Sequence, residues 1–147
     1  MGQMTGLQLQ VRWLVDRAEI AELLARYARC IDERDWAGLQ GTYAEDGVME
    51  HGATAVGRDG VPGLSERILT GVASSHHVVD DPGIEIDGDT ARTRSHYFAT
   101  HVADDGAIIR QAGGWYDCAL RRTPAGWRFT RVTARSAWRT GQGLASH

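Results

Sequence analysis

The sequence predicts an α+β fold: a curved antiparallel sheet forming a cone closed by N-terminal helices, with an internal pocket. Three observations predict it. Apolar residues recur at helical spacing only in the first half of the chain. After Ser74 the texture changes to long strand-like runs, and these are joined by short turn formers. Pro82, Gly83, Gly113 and Gly114 fall inside those runs, where such residues mark bulges or bends, so the sheet should curl around a ligand-sized space.

From Trp13 to Ile31 the apolar positions Trp13, Ile20, Leu23, Leu24, Tyr27, Ala28 and Ile31 keep helical spacing. Asp35 is an N-cap for a short second helix whose inward side is Trp36, Leu39 and Tyr43. "EDG" breaks that pattern and "VMEH" reads as a short strand. A third helix is expected in "GRDGVPGLSERILT", with Val61, Leu64 and Ile68 facing inward and Pro62 in its first turn. Four long strands follow in "SSHHVVDDPGIEID", "TARTRSHYFATHVA", "AIIRQAGGWYDCALRRT" and "GWRFTRVTARSAWRT". Their connections, "DGD", "DDG" and "TPAG", suit hairpins. One domain is expected over residues 12–139, with flexible tails at 1–11 and 140–147.

The 147 residues suffice for one core. With 16 basic and 19 acidic side chains the formal charge is -3, and no basic block appears, so nucleic acid and membrane surfaces are poor partners. Cys30 and Cys118 have no ligand spacing and read as reduced core thiols. The start lacks a leader pattern, Gly6 spoils a myristoylation signal, and no apolar run approaches membrane-spanning length; a soluble, cytoplasmic protein is the expectation. The 6 histidines form no HxH, HxxxH or HExxH, and there is no GxGxxG or P-loop, so neither a metal nor a nucleotide cofactor is expected.

Asp32 continues the row of Leu24 and Ala28 on the apolar side of the first helix. A carboxylate there is either solvated at the helix end or paired, and it sits at the unfavourable end of the helix dipole. Tyr27, in the row of Leu23 and Ile31, either lines a pocket or fills the core. His76 and His77 must face opposite sides of a strand, and alternation alone leaves open which one points inward.

"RAEIAELLARYARCIDERDWAGLQGTYAEDGVMEHG", "VGRDGV", "SSHHVVDDPGIEIDGDTARTRSHYF" and "GGWYDCALRRTPAGWRF" together resemble a SnoaL-like domain of the nuclear-transport-factor-two-like superfamily, over roughly residues 12 to 135. The branch containing scytalone dehydratase, hexachlorocyclohexane dehydrochlorinase and the bile-acid 7α-dehydratase carries an aspartate near the end of its first helix and a histidine before the strand matching "IEID". Laid on this sequence, those positions fall on Asp32 and His77, and a tyrosine of the bile-acid enzyme falls on Tyr27. The second histidine of scytalone dehydratase has two candidates here, His96 and His101, of opposite strand parity.

The resemblance implies a cofactor-independent lyase or isomerase of the dehydratase type, acting on a small apolar carbonyl compound such as a polyketide, steroid or aromatic intermediate. Asp32, His77 and Tyr27 are its expected catalytic residues, and His96, His101, Trp115 and Arg131 its expected substrate contacts. A polyketide or terpene cyclase using the same dyad, and a non-catalytic small-molecule- or protein-binding module, are the competing functions. A homo-oligomer, dimer or trimer, is expected through apolar residues on the outer sheet face.

Overall fold

The computed structural model describes residues 2–141. The first helix, α1, spans Gly6–Asp32, because Thr5 and Gln8 form a reciprocal capping box at its start. It therefore begins inside the stretch expected to be a flexible tail; of the C-terminal tail, 142–147 lies outside the described residues. Burial along α1 starts at Asp16 rather than at Trp13, which is 46% exposed. Ile20, Leu23, Leu24, Tyr27 and Ile31 then form the apolar stripe that faces the sheet.

α1 stops because Arg34 turns left-handed, at φ 58°. That conformation costs about 1 kcal/mol for a residue with a Cβ. Local hydrogen bonds offset it: the Arg34 and Asp35 N–H groups donate to the carbonyls of Ile31 and Cys30. Asp35 caps α2 (Trp36–Gly41) by accepting the Gly38 N–H at 2.8 Å, as its spacing predicts. Tyr43 is the exception to the sequence reading. It opens strand β1 (Tyr43–His51), which runs through "EDG" by means of a register shift between Tyr43 and Val48.

β2 (Thr54–Gly57) and a single 3-10 turn lead into α3 (Val61–Ile68), with Val61 and Leu64 buried. The remaining strands are β3 (Ser74–Val79), β4 (Gly83–Asp87), β5 (Thr90–Val102), β6 (Ile108–Thr123) and β7 (Gly126–Gly141). The sheet order is β2-β1-β7-β6-β5-β3, and β4 also pairs with β5. The first expected long strand is thus two, lying end to end along β5 and broken at Asp80–Pro82. Every pair is antiparallel except β1 with β7. These two are separated by about half of the chain, a connection long enough for a parallel pairing.

The bend expected at Gly113 and Gly114 is present as a register shift against β7. A Cβ on Gly114 would lie 1.8 Å from the Arg135 carbonyl oxygen, so only glycine allows the two backbones to approach there. Along β5, Ala91, Thr93, Ser95, Ala99 and His101 are buried beneath the helices, while Arg92, Arg94, His96 and Phe98 point to the other face. The far end of α1 is fastened by Asp16, which accepts from the Arg122 guanidinium at 2.7 and 2.8 Å and from the Trp127 indole at 3.1 Å. Among the described residues no helix is long and apolar enough to cross a membrane.

Candidate active site

Where α1 ends, its last residue meets the edge strand β3. His77 stands opposite Ala99, and Ser75 opposite His101, so both face inward; His76 points out. The Asp32 carboxylate gathers three donors from β3. Oδ1 lies 2.7 Å from His77 Nδ1 and accepts the Ser75 hydroxyl at 2.9 Å, and Oδ2 accepts the His77 backbone N–H at 2.8 Å. Burial acts to raise the Asp32 pKa, but the ring and backbone hydrogen bonds from His77, its charge and the Ser75 bond together hold it below the usual value. The alternative of a solvated helix-end acid is therefore not what the fold contains.

A carboxylate facing Nδ1 calls for a proton on that nitrogen, which leaves Nε2 of the neutral His77 ring as a bare lone pair. The ring is 8% exposed. Arg34 braces the arrangement from behind, donating to Ser75 Oγ and the Ile31 carbonyl at 2.8 Å each and to the Val72 carbonyl at 3.3 Å. Its left-handed backbone aims this side chain, a use of local strain at a site.

The second histidine is His101, its ring centroid 5.8 Å from that of His77. Arg110, its partner across the β5–β6 hairpin, donates from Nε to His101 Nδ1 at 2.8 Å. A guanidinium can only donate, so His101 carries its hydrogen on Nε2, the opposite tautomer to His77. Burial, then the charge of Arg110, that of His77 whenever its ring is protonated, and that of Arg34 hold the His101 pKa at about 4. Its Nε2 is buried and has no hydrogen-bond partner among the described residues. A ring with an open nitrogen and a ring that donates thus face the same side.

The other expected site residues are elsewhere. Tyr27 is 2% exposed, caged by the rings of Tyr116, Phe129 and Tyr43 at 5.5, 5.7 and 6.3 Å; burial pushes its phenol pKa well up. No hydrogen bond joins it to Asp32 or His77 among the described residues, so the core alternative holds for its packing. His96, Trp115 and Arg131 are on the opposite sheet face. His96 is held by Asp80 and touches the Trp115 ring edge-on at 5.6 Å, and Arg131 pairs with Glu50. Strand parity is the reason: five residues separate His96 from His101, so one must face outward. The outer face also carries an open cleft of about 830 Å³ lined by Arg94, Asp117, Arg131 and Arg135. Sequence reasoning missed Ser75, Arg34 and Arg110. The signal for Arg110 was present, since closing the "DDG" hairpin places it against His101.

A helix-backed, bent and unclosed sheet, with an acid–imidazole pair between helix end and edge strand, defines a cone-like α+β class. The chain belongs to the SnoaL-like domain family, whose model matches residues 12–133. An uncharacterized protein of Mycobacterium tuberculosis is 33% identical over 128 residues, 84% of this chain and 86% of the relative. An NTF2-like protein with a cystatin-like fold from Novosphingobium aromaticivorans superposes with a TM-score of 0.74 at 31% identity, covering 90% of this chain and 89% of that one. The fold is also similar to that of a type 2 hexachlorocyclohexane dehydrochlorinase, with a TM-score of 0.80 at 15% identity over 94% and 96% of the two chains. A scytalone dehydratase candidate from N. aromaticivorans gives 0.82 at 20% identity over 90% and 91%.

Proposed function

We propose that the protein is a dehydratase-type lyase or isomerase working through its own side chains, with Asp32 and His77 as its acid–base dyad. The observation that carries this reading is the grip of one carboxylate on both the backbone and the ring of His77, which leaves Nε2 bare on the inner face. Family membership supports an enzyme acting on small molecules, and the fold neighbours that are dehydratase or dehydrochlorinase in name fit the same chemistry.

In the forward step His77 Nε2 takes a proton from a carbon made acidic by an adjacent carbonyl. Asp32 stabilises the resulting imidazolium without taking the proton itself. His101 Nε2–H donates to the carbonyl oxygen as it becomes an enolate, a role suited to a ring that stays neutral. The enolate then expels a β-hydroxyl, which leaves as water with the proton held on His77. Return of that proton to a different carbon gives isomerisation instead. Tyr27 serves this scheme from the core, by shaping the wall behind the dyad, and the donor role expected of it passes to His101.

The test is turnover of a panel of β-hydroxy-ketones. Asp32→Asn and His77→Ala should each lower the rate about 10²- to 10⁴-fold, the range of a positioned acid–base group. Wild-type rates in both variants would remove the dyad. Product analysis separates loss of water from ring closure by a cyclase.

A further inference from the structure

Buried cations are paired with acids, because an uncompensated charge away from water is costly. Arg110 breaks that pattern. It is 7% exposed, its side-chain hydrogen bonds go to neutral His101, and no carboxylate pairs with it among the described residues. Its surroundings do not supply the missing charge. Arg139, opposite Ala112 in β7, faces the same side, as does His51 of β1, paired with Ala134. Burial first, and then the charges of Arg139 and Arg110, lowers the pKa of His51; burial and Arg139 likewise lower that of Arg110. Among the described residues facing this end, Asp32 is the sole acid, and it is committed to His77 and Ser75.

Two unmet needs therefore lie close together: a guanidinium without a counter-charge among the described residues, and the buried Nε2–H of His101, which the scheme above gives to the reacting carbonyl oxygen. The sheet between them and the aromatic core is floored by Ala99, Ala112 and Gly114. Tyr97, stacked on Tyr116 at 4.7 Å, borders that floor. Alanine and glycine leave that floor without bulky side chains, which suits a flat apolar body. We propose that this end of the interior receives the carboxylate of a planar, largely apolar substrate, with Arg110 and Arg139 as its counter-charges. This deepens the acid–base reading above by naming a substrate class: an unsaturated or aromatic keto acid whose reacting carbon lies toward His77.

The experiment is calorimetric titration of the full-length protein with trans-cinnamate and 1-naphthoate, alongside their methyl esters. Saturable binding of at least one acid is expected, with its ester about thirtyfold weaker or more, the range for unpairing a desolvated charge. Arg110→Met should abolish the preference for acid over ester, Arg139→Met should reduce it, and Arg110→Lys should keep part of it. Turnover of the hydroxy-ketone panel by Asp32→Asn tests the dyad, whereas the acid–ester comparison on the wild-type protein tests this site, so failure of the two readings is read separately. Where Arg110→Met does not fold, by circular dichroism, the acid–ester comparison on the wild-type protein decides. Equal binding of acids and esters, unchanged preference in Arg110→Met, or no binding of either acid would overturn the proposal.

Discussion

Replacing Asp16 with alanine tests the account of how α1 is held to the sheet. Asp16 is 4% exposed, and its carboxylate takes both Arg122 nitrogens and the Trp127 indole N–H. Hydrogen bonds from Arg122 win over burial and hold its pKa below the usual range. Truncation leaves Trp127 Nε1–H, on a side chain 2% exposed, without an acceptor, which costs about 1–3 kcal/mol. Breaking a fully buried ion pair costs about 3–5 kcal/mol. Arg122, however, is 26% exposed and keeps Asp89 at 2.9 Å, so the guanidinium is not stranded. The expected loss is therefore about 3 kcal/mol, or about 6–12 °C in Tm for a chain of this size. Asp16→Asn keeps an acceptor for the indole and should lose about half as much. Urea unfolding followed by tryptophan fluorescence reads both. A loss under about 1 kcal/mol in Asp16→Ala, or an asparagine variant no better than alanine, would refute the reasoning.

His101 carries a pH signature. Its folded pKa of about 4 lies below the unfolded value, so as pH falls the unfolded chain binds the proton first. Stability should drop by about 3 kcal/mol between pH 6.5 and 4, and His101→Gln should flatten that slope. Nitrogen-15 NMR of the rings should find His77 protonated at Nδ1 and His101 at Nε2 at pH 7; matching tautomers would undo the base-and-donor assignment. Gly114→Ala places a methyl against the Arg135 carbonyl and should prevent the β6–β7 bend, giving insoluble protein or a Tm at least about 8 °C lower. On the outer face Val78, Phe98 and Trp138 are exposed and contiguous, the Phe98 and Trp138 rings 5.6 Å apart across Gly113. Light scattering should therefore find a dimer or trimer, and a monomer would contradict the proposed oligomer.

The parts of this fold legible in the sequence were those set by neighbours in the chain. The α1 stripe, the Asp35 cap and the hairpin turns each follow from a few adjacent residues, and they appear where those residues put them. The pairing of β1 with β7 brings together strands about half the chain apart, and nothing in "VMEH" names its partner. Face assignment failed for His96, Trp115 and Arg131 for a related reason. Alternation divides a strand into two faces, but only the position of α1 decides which face is inside. Asp32 and His77 enter as candidates through resemblance, while the acid-poor setting of Arg110 becomes visible only when β1, β5, β6 and β7 are brought together.

The edge position of β3 gives Asp32 a second consequence. A border strand exposes main-chain donors that invite another chain to pair, and the Asp32 carboxylate covers one of these at His77 while tying the border to the helix. That fastening guards the border whether or not the pair does chemistry, so selection against strand-to-strand aggregation would by itself keep the acid.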